Sequence, residues 1–272
     1  MKTAVLGLGI IGEAWAANLR EDGVLSATWN RTPKNLPEFV PDAVSAVRDA
    51  ECVILVVADP PAVDEVLARI EPALKMGQIL IQSSTVSAAW TKRFAERVEK
   101  TGARFLEAPF TGSKPAAEAR KTVFYLGGDP ELIEQASPVL SRLGSMLRIG
   151  PVGSASSLKL AMNMNIAMVM EGLCESLNFA RSEGIPDEIF FSALKINASR
   201  APISDLKEPK LKSNDFSPQF SLKHMDKDLR LALESAAHLR LPQLRKLKEQ
   251  FDEGMRLGYG SEDFSTLMRL LQ

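Results

Sequence analysis

A change of rhythm near residue 150 constrains this chain more than any other feature. Up to that point, short β-rich runs alternate with helical stretches. TAVLGL (3–8), LSATWN (25–30), CVILVVA (52–58), QILIQSS (78–84), RFLEAP (104–109), TVFYLGG (122–128) and MLRIG (146–150) read as strands. Amphipathic patterns over 11–21, 61–71, 87–101 and 130–143 read as helices between them, with Gly102 and Gly144 placed as C-terminal caps. Strands alternating with helices predict a mostly parallel α/β sheet, doubly wound in the Rossmann manner. Past residue 150 the strand signal stops, and 153–183, 186–196, about 218–237 and 241–257 read as helices. The expected organisation is a dinucleotide-binding domain over 1–152 and an all-α C-terminal domain over 153–272. The long helix 153–183, roughly 45 Å if unbroken, would be the interdomain spine.

One crossover departs from this pattern. Between Arg31 and Val53, TPKNLPEFVPDAV carries Pro33, Pro37 and Pro41. A proline in a helix interior costs about 3 kcal/mol, so this connection is expected to be a loop or a single turn.

Composition excludes several classes of function. A net charge of −1 offers no bulk attraction to nucleic acid or to an anionic membrane. No window holds 18 uninterrupted apolar residues, and the apolar run at 160–173 is too short to span a bilayer. The start, MKTAVLGLGIIG, is broken by three glycines and runs directly into an amphipathic pattern, unlike a secretion leader. Cys52 and Cys174 are far apart in apolar surroundings, and the chain has 2 His, so no metal site is expected. A reducing, cytoplasmic location follows as the simplest expectation.

The sequence GLGIIG, residues Gly7, Leu8, Gly9, Ile10, Ile11 and Gly12, falls between the first strand and the first helix. The GxGxxG pattern alone is weak, since any tight strand–helix turn can use glycine. Its position is the one the mechanism needs. Gly7 would permit the turn, Gly9 would let a pyrophosphate approach the backbone, and Gly12 would let helix and strand pack closely. The next strand ends in WNRTP. A site for NAD would carry a carboxylate there to bond the ribose 2′-hydroxyl. Asn30, Arg31 and Thr32 instead suit a 2′-phosphate, which predicts NADP(H). The alternative reading of Arg31 is an ordinary surface residue in a turn.

The stretch SSLKLAMNMNIAMVMEGL (156–173) places an ammonium and a carboxamide on a mostly apolar helix. At about 100° per residue, Lys159 and Asn163 share one face. They could pair inside the protein, Lys159 could reach solvent from a helix end, or the two could face a site of chemistry. A desolvated ammonium has its pKa lowered toward working pH and can protonate a developing alkoxide. The methionines of 162–170 read as core or subunit interface, and His224 and His238 as surface or packing residues.

With these residues assembled, the chain resembles the β-hydroxyacid dehydrogenase (3-hydroxyisobutyrate dehydrogenase-like) family, above all its glyoxylate and succinic semialdehyde reductase branch. The resemblance rests on GLGIIGEAWAANL, SSTVS (83–87), APFTGSKPAAEA (108–119), GSASSLKLAMN (153–163) and FSLKHMDKDLRLAL (220–233), in the family's order. It implies Lys159 as the catalytic lysine and Asn163 as a substrate-orienting residue. Thr111, Gly112 and Ser113 would hold the substrate carboxylate, and Phe220 and Asp228 would line its pocket. It also implies cofactor contacts at Val57, Ala58, Ser84, Thr85 and Lys227, beside the glycine loop and Asn30 to Thr32. Gln82 stands where the family usually has an acid, Thr111 where serine is usual, and Ile11 and Trp15 where it has methionines. The implied activity is NADP(H)-dependent reduction of a small aldehyde or keto acid, with a small carboxylate as substrate. A homodimer or homotetramer is the expected assembly, because helix 153–183 is apolar on more faces than one small helical domain can cover. Two alternatives stay open: an imine reductase of the same fold, and a non-catalytic NADP(H)-binding module.

Overall fold

In the computed structural model, which describes residues 1–271, the first half follows the strand–helix alternation read from the sequence. β1 (Thr3–Leu6), α1 (Ile10–Glu21), β2 (Leu25–Trp29), α2 (Ala43–Arg48), β3 (Cys52–Leu55), α3 (Pro60–Ile70), β4 (Ile79–Gln82), α4 (Ala88–Lys100) and β5 (Arg104–Glu107) come first. β6 (Phe110–Thr111), α5 (Lys114–Glu118), β7 (Thr122–Gly127), α6 (Pro130–Leu140) and β8 (Gly144–Gly150) complete it. The strand order is β2-β1-β3-β4-β5-β7-β6, with β8 beside β7. Pairings are parallel except β5–β7 and β6–β7. The fold is the expected Rossmann-type doubly wound sheet followed by helices.

Local chemistry sets the element boundaries. Asp59 accepts from the Ala62 N–H at the start of α3, and Asp129 from the Glu131 N–H at the start of α6. Each is followed by a proline in the first turn, where the missing N–H costs nothing. Along β1, neighbouring side chains go to opposite faces. Ala4 and Leu6 join the core formed with Val47, Val63 and Phe94 of α2, α3 and α4. Val5 joins the one formed with Trp15, Leu19 and Leu132 of α1 and α6. A sheet covered on both faces explains strands that are buried throughout.

The proline-rich segment after β2 is a loop, as expected, and α2 begins only after Pro41, capped by Asp42 through the N–H groups of Val44 and Ser45. Gly144 corrects one expectation. It does not cap α6, which ends at Leu140; it opens β8, where a Cβ would lie 1.8 Å from the Thr122 carbonyl oxygen. The short elements β6 and α5 lie where the sequence pattern marked neither.

The second half contains α7 (Ser154–Ser182), α8 (Asp187–Ile196), α9 (Pro202–Ser213), α10 (Leu222–Ser235) and α11 (Pro242–Arg256), then a 3₁₀ segment at Phe264–Leu271. Tertiary contacts divide the chain into two compact units, with the division between Leu160 and Ala161, inside α7. α9 was not anticipated. Its buried positions are Ser204, Lys207, Lys210 and Leu211 rather than an apolar stripe, and Pro209 stands inside it. Among the described residues no helix is long and apolar enough to cross a membrane.

Candidate active site

In the first unit the strand order reverses between β2-β1 and β1-β3, and open α/β sheets bind ligands at such a switch point. The glycine loop leaves β1 there, beside Val56 and Val57. Gly7 has φ +102°, and a Cβ on it would sit 2.0 Å from the Val56 carbonyl oxygen. A Cβ on Gly12 would sit 1.9 Å from the Gly7 carbonyl oxygen. Protein packing therefore requires both glycines. At Gly9 a Cβ would meet nothing within 4 Å, so the protein itself gives no steric reason for glycine. Gly9 also supplies no side-chain cap to α1, which leaves the first N–H groups of that helix for an anion. A cavity of about 550 Å³ opens beside Leu8, Gly9 and Ile10, bounded also by the ion pairs Lys34–Glu13 and Lys114–Glu118. This cradle fits a pyrophosphate.

The turn after β2 is organised from within. Asn30 accepts from the Leu8 N–H at 3.0 Å and donates to the Thr32 carbonyl at 2.8 Å. Its carboxamide thus ties the glycine loop to the WNRTP turn, and the Leu8 N–H is already engaged. Arg31 projects outward with its side chain 77% exposed, 3.9 Å from a Glu65 carboxylate oxygen. Further along the sheet, Ser84 is buried and its hydroxyl accepts from the Val57 N–H at 2.8 Å, joining the ends of β3 and β4. Thr85 follows it, partly exposed.

Lys159 is 8% exposed, and its Nζ lies 6.0 Å from the centre of the Phe110 ring. That ring is held edge-on by Trp15 at 4.8 Å, and Trp15 is itself anchored by a hydrogen bond from Nε1 to Thr122 Oγ1. Trp15 is therefore a packing residue that fixes the wall beneath Lys159. Phe110 leads into Thr111, Gly112 at φ +135° and Ser113, which stands at the N-cap of α5 with no side-chain cap bond. The ring beside Lys159 thus belongs to the residue just before the loop that the resemblance assigns to a carboxylate.

In the second unit Asn163 and Asp228 are buried, and Asn163 Nδ2 donates to Asp228 Oδ2 at 2.6 Å. Lys227 Nζ lies 2.9 Å from the other oxygen, Oδ1. Asp228 is a bridge that orients both neighbours, which leaves Asn163 Oδ1 to accept. Phe220, just before α10, packs edge-on to Phe264 and stacks on His224. The His224 Nδ1 is hydrogen-bonded to Ser221 Oγ at 2.7 Å, consistent with a helix-start role.

Sequence reasoning missed four participants. Glu107 and the pair Lys207–Asp263 are buried charged residues with partners 43 to 56 positions away, beyond the reach of any local pattern. Phe110 lies inside the APFTGSKPAAEA motif, but its contact with Lys159 depends on tertiary structure.

Two family models match the chain: the NAD-binding domain of 6-phosphogluconate dehydrogenase over residues 2–153, and the NAD-binding domain of NADP-dependent 3-hydroxyisobutyrate dehydrogenase over 153–271. A glyoxylate/succinic semialdehyde reductase of Arabidopsis thaliana is 30% identical over 100% of this chain and 99% of that protein. A solved structure of Mycobacterium tuberculosis 3-hydroxyisobutyrate dehydrogenase with L-serine superposes with a TM-score of 0.90 at 24% identity, covering 100% and 99% of the two chains. An imine reductase from Myxococcus stipitatus with NADP⁺ shares the fold at a TM-score of 0.69 and 22% identity, covering 100% of both chains.

Proposed function

The chain belongs to the β-hydroxyacid dehydrogenase (3-hydroxyisobutyrate dehydrogenase-like) family of NAD(P)-binding oxidoreductases, and we propose that it reduces a small aldehyde or keto acid with NADPH. The substrate class is that of succinic semialdehyde or glyoxylate, and the product is the hydroxy acid. The observation that carries this reading is the buried ammonium of Lys159 against Phe110, next to the loop of Thr111, Gly112 and Ser113.

In this reading the cofactor, when bound, supplies a hydride to the carbonyl carbon. The glycine loop and the start of α1 hold its pyrophosphate, while Arg31 and Thr32 bind the 2′-phosphate. Thr111 and Ser113 hydroxyls and the loop's N–H groups hold the substrate carboxylate. Lys159 gives its proton to the carbonyl oxygen as negative charge develops there, and takes one back from solvent. Asn163 accepts from or donates to the reacting groups in an orientation set by Asp228. NADPH oxidation measured against a panel of small semialdehydes, 2-keto acids and cyclic imines tests the assignment. Turnover of the imines alone would replace it with imine reduction. No turnover with intact NADPH binding would replace it with a non-catalytic module.

Two further parts of the reading concern setting. Phe179, Ile189 and Ile196 are 67%, 59% and 91% exposed, which supports a homodimer or homotetramer covering them. A monomer by light scattering at micromolar concentration would contradict that assembly. Cys52 and Cys174 are buried and unbridged, in keeping with a cytoplasmic location, which cell fractionation tests.

A further inference from the structure

The last residue of β5 is a fully buried carboxylate. Glu107 pairs in register with Gln82 of β4 on one side and with Gly127 of β7 on the other. Its oxygens are not spent on the sheet. Oε2 accepts from the Gly153 N–H at 2.7 Å, and Oε1 from the Ser156 N–H at 2.6 Å. These are the N–H groups at the very start of α7, and Lys159 stands three residues beyond Ser156.

The surroundings are built around this grip. A Cβ on Gly127 would lie 2.1 Å from Glu107 Oε2, so the carboxylate occupies the space that a side chain there would take. Gly153 has φ +99°, a conformation that turns its N–H toward the carboxylate at little steric cost for glycine. Ser156 is buried as well, and its hydroxyl is hydrogen-bonded to Thr91 of α4 at 2.7 Å. The start of α7 is therefore fixed at two points, one from β5 and one from α4. Charge-assisted bonds to backbone N–H groups are shorter and stronger than neutral ones, and a negative charge at a helix N-terminus gains from the helix dipole. A surface serine or aspartate would have capped the helix without burying a charge. A carboxylate reached across 46 residues does something more, because it references the helix to the end of the sheet.

We propose that Glu107 is a positioning residue for Lys159: by holding the first turn of α7 it sets the height and direction from which the lysine ammonium meets the reacting oxygen. The proposal rests on the reading of Lys159 as the proton donor. Glu107 lies behind the helix start and transfers no proton itself. The register neighbour in β4 is the carboxamide of Gln82, so no second carboxylate from that strand competes for the same N–H groups.

The test uses the full chain and three variants, Glu107→Gln, Lys159→Met and the two combined. Gln keeps the volume of the side chain but presents one acceptor in place of two. Displacing a catalytic group by about 1 Å can cost on the order of 10²-fold in rate. The expected result for Glu107→Gln is a fall in kcat of tenfold to about 10²-fold per folded molecule, with the KM for NADPH changed less than about twofold. Glu107→Asp, which keeps the charge but shortens the reach, should recover part of the loss. In the Lys159→Met background the Glu107→Gln change should cost nothing further, because residues acting as one unit are not additive. An unchanged kcat in Glu107→Gln beside a collapsed Lys159→Met overturns this inference alone. So does a Glu107→Gln loss that persists in full without the lysine, or one that tracks the fraction unfolded. An undiminished kcat in Lys159→Met overturns the underlying reading instead. Should Glu107→Gln fail to fold, the same readings on Glu107→Asp decide the matter.

Discussion

Lys207 and Asp263 form a buried ion pair in the second unit, with Nζ 2.7 and 2.8 Å from the two carboxylate oxygens and neither residue more than 1% exposed. Asp263 also accepts from the Gln219 and Phe220 N–H groups and from Ser265, so one carboxylate pins the segment that carries Phe220.

The pair makes stability depend on acid. Burial on its own would raise the Asp263 carboxyl, but the Lys207 ammonium and the hydrogen bonds from Gln219 and Ser265 outweigh it and hold the group below its usual range. A carboxyl depressed in the folded state contributes stability that is complete above its unfolded value of about 4 and is lost as pH falls through the folded value. The unfolding midpoint of the wild type should therefore drop below about pH 4, while Asp263→Asn, less stable at neutral pH, should show a shallower acid limb. Lys207→Met leaves a buried carboxylate without its partner and should cost about 3–5 kcal/mol at neutral pH by urea denaturation. Identical acid limbs for wild type and Asp263→Asn would show that the pair has no such role.

The three glycines of GLGIIG should separate experimentally. Gly9→Ala meets open space, so the variant should fold with a nearly unchanged Tm yet bind NADPH more weakly, because in the proposed reading the methyl group would stand where the pyrophosphate approaches. Gly7→Ala and Gly12→Ala place a Cβ within 2.0 Å of backbone oxygens and should destabilise the fold itself. Thermal scans and NADPH titration distinguish the two classes. A Gly9→Ala protein with undiminished NADPH affinity would remove the cofactor assignment from this loop.

Cofactor choice should rest on Arg31. The pyrophosphate is common to NAD and NADP, so discrimination falls to groups near the 2′ position. A hydrogen bond to a charged group contributes about 1.5–3 kcal/mol, equivalent to roughly 10–150-fold. Arg31→Ala should raise the KM for NADPH by that factor and leave the KM for NADH nearly unchanged. Among the described residues the ion pair of Arg31 is a long one, to Glu65 at 3.9 Å, and its side chain is 77% exposed, within reach of a phosphate. A wild-type enzyme that uses both cofactors equally well would make Arg31 an ordinary surface residue.

How far these features were legible follows from where their causes lie. The sheet could be read because β1, β3 and β4 are short apolar runs bounded by turn residues, and the DP pairs at 59–60 and 129–130 mark helix starts directly. The glycine loop was legible for the same local reason. α9 was hidden because three of its four buried positions, Ser204, Lys207 and Lys210, are polar and only Leu211 is apolar, so apolar periodicity is lost where the helix faces inward. Gly144 was misplaced because the glycine answers to the Thr122 carbonyl of a neighbouring strand, not to the helix before it. At the candidate site the sequence could offer Lys159, Asn163 and Asp228 as residue types. That Asp228 holds Asn163, and that Glu107 reaches the start of α7, depends on contacts between segments 46 to 65 residues apart.

The central claim is that Lys159 donates the proton. Single-turnover and steady-state kinetics of Lys159→Met, on whichever substrate the panel identifies and with NADPH binding measured on the same samples, test it most directly. The account predicts nearly unchanged NADPH affinity and a fall in kcat of about 10²–10⁴-fold, the usual worth of general acid catalysis. Asn163→Ala should cost less, since that residue orients and transfers nothing. A fall in kcat of less than about tenfold in Lys159→Met, with the cofactor still bound, would contradict the claim.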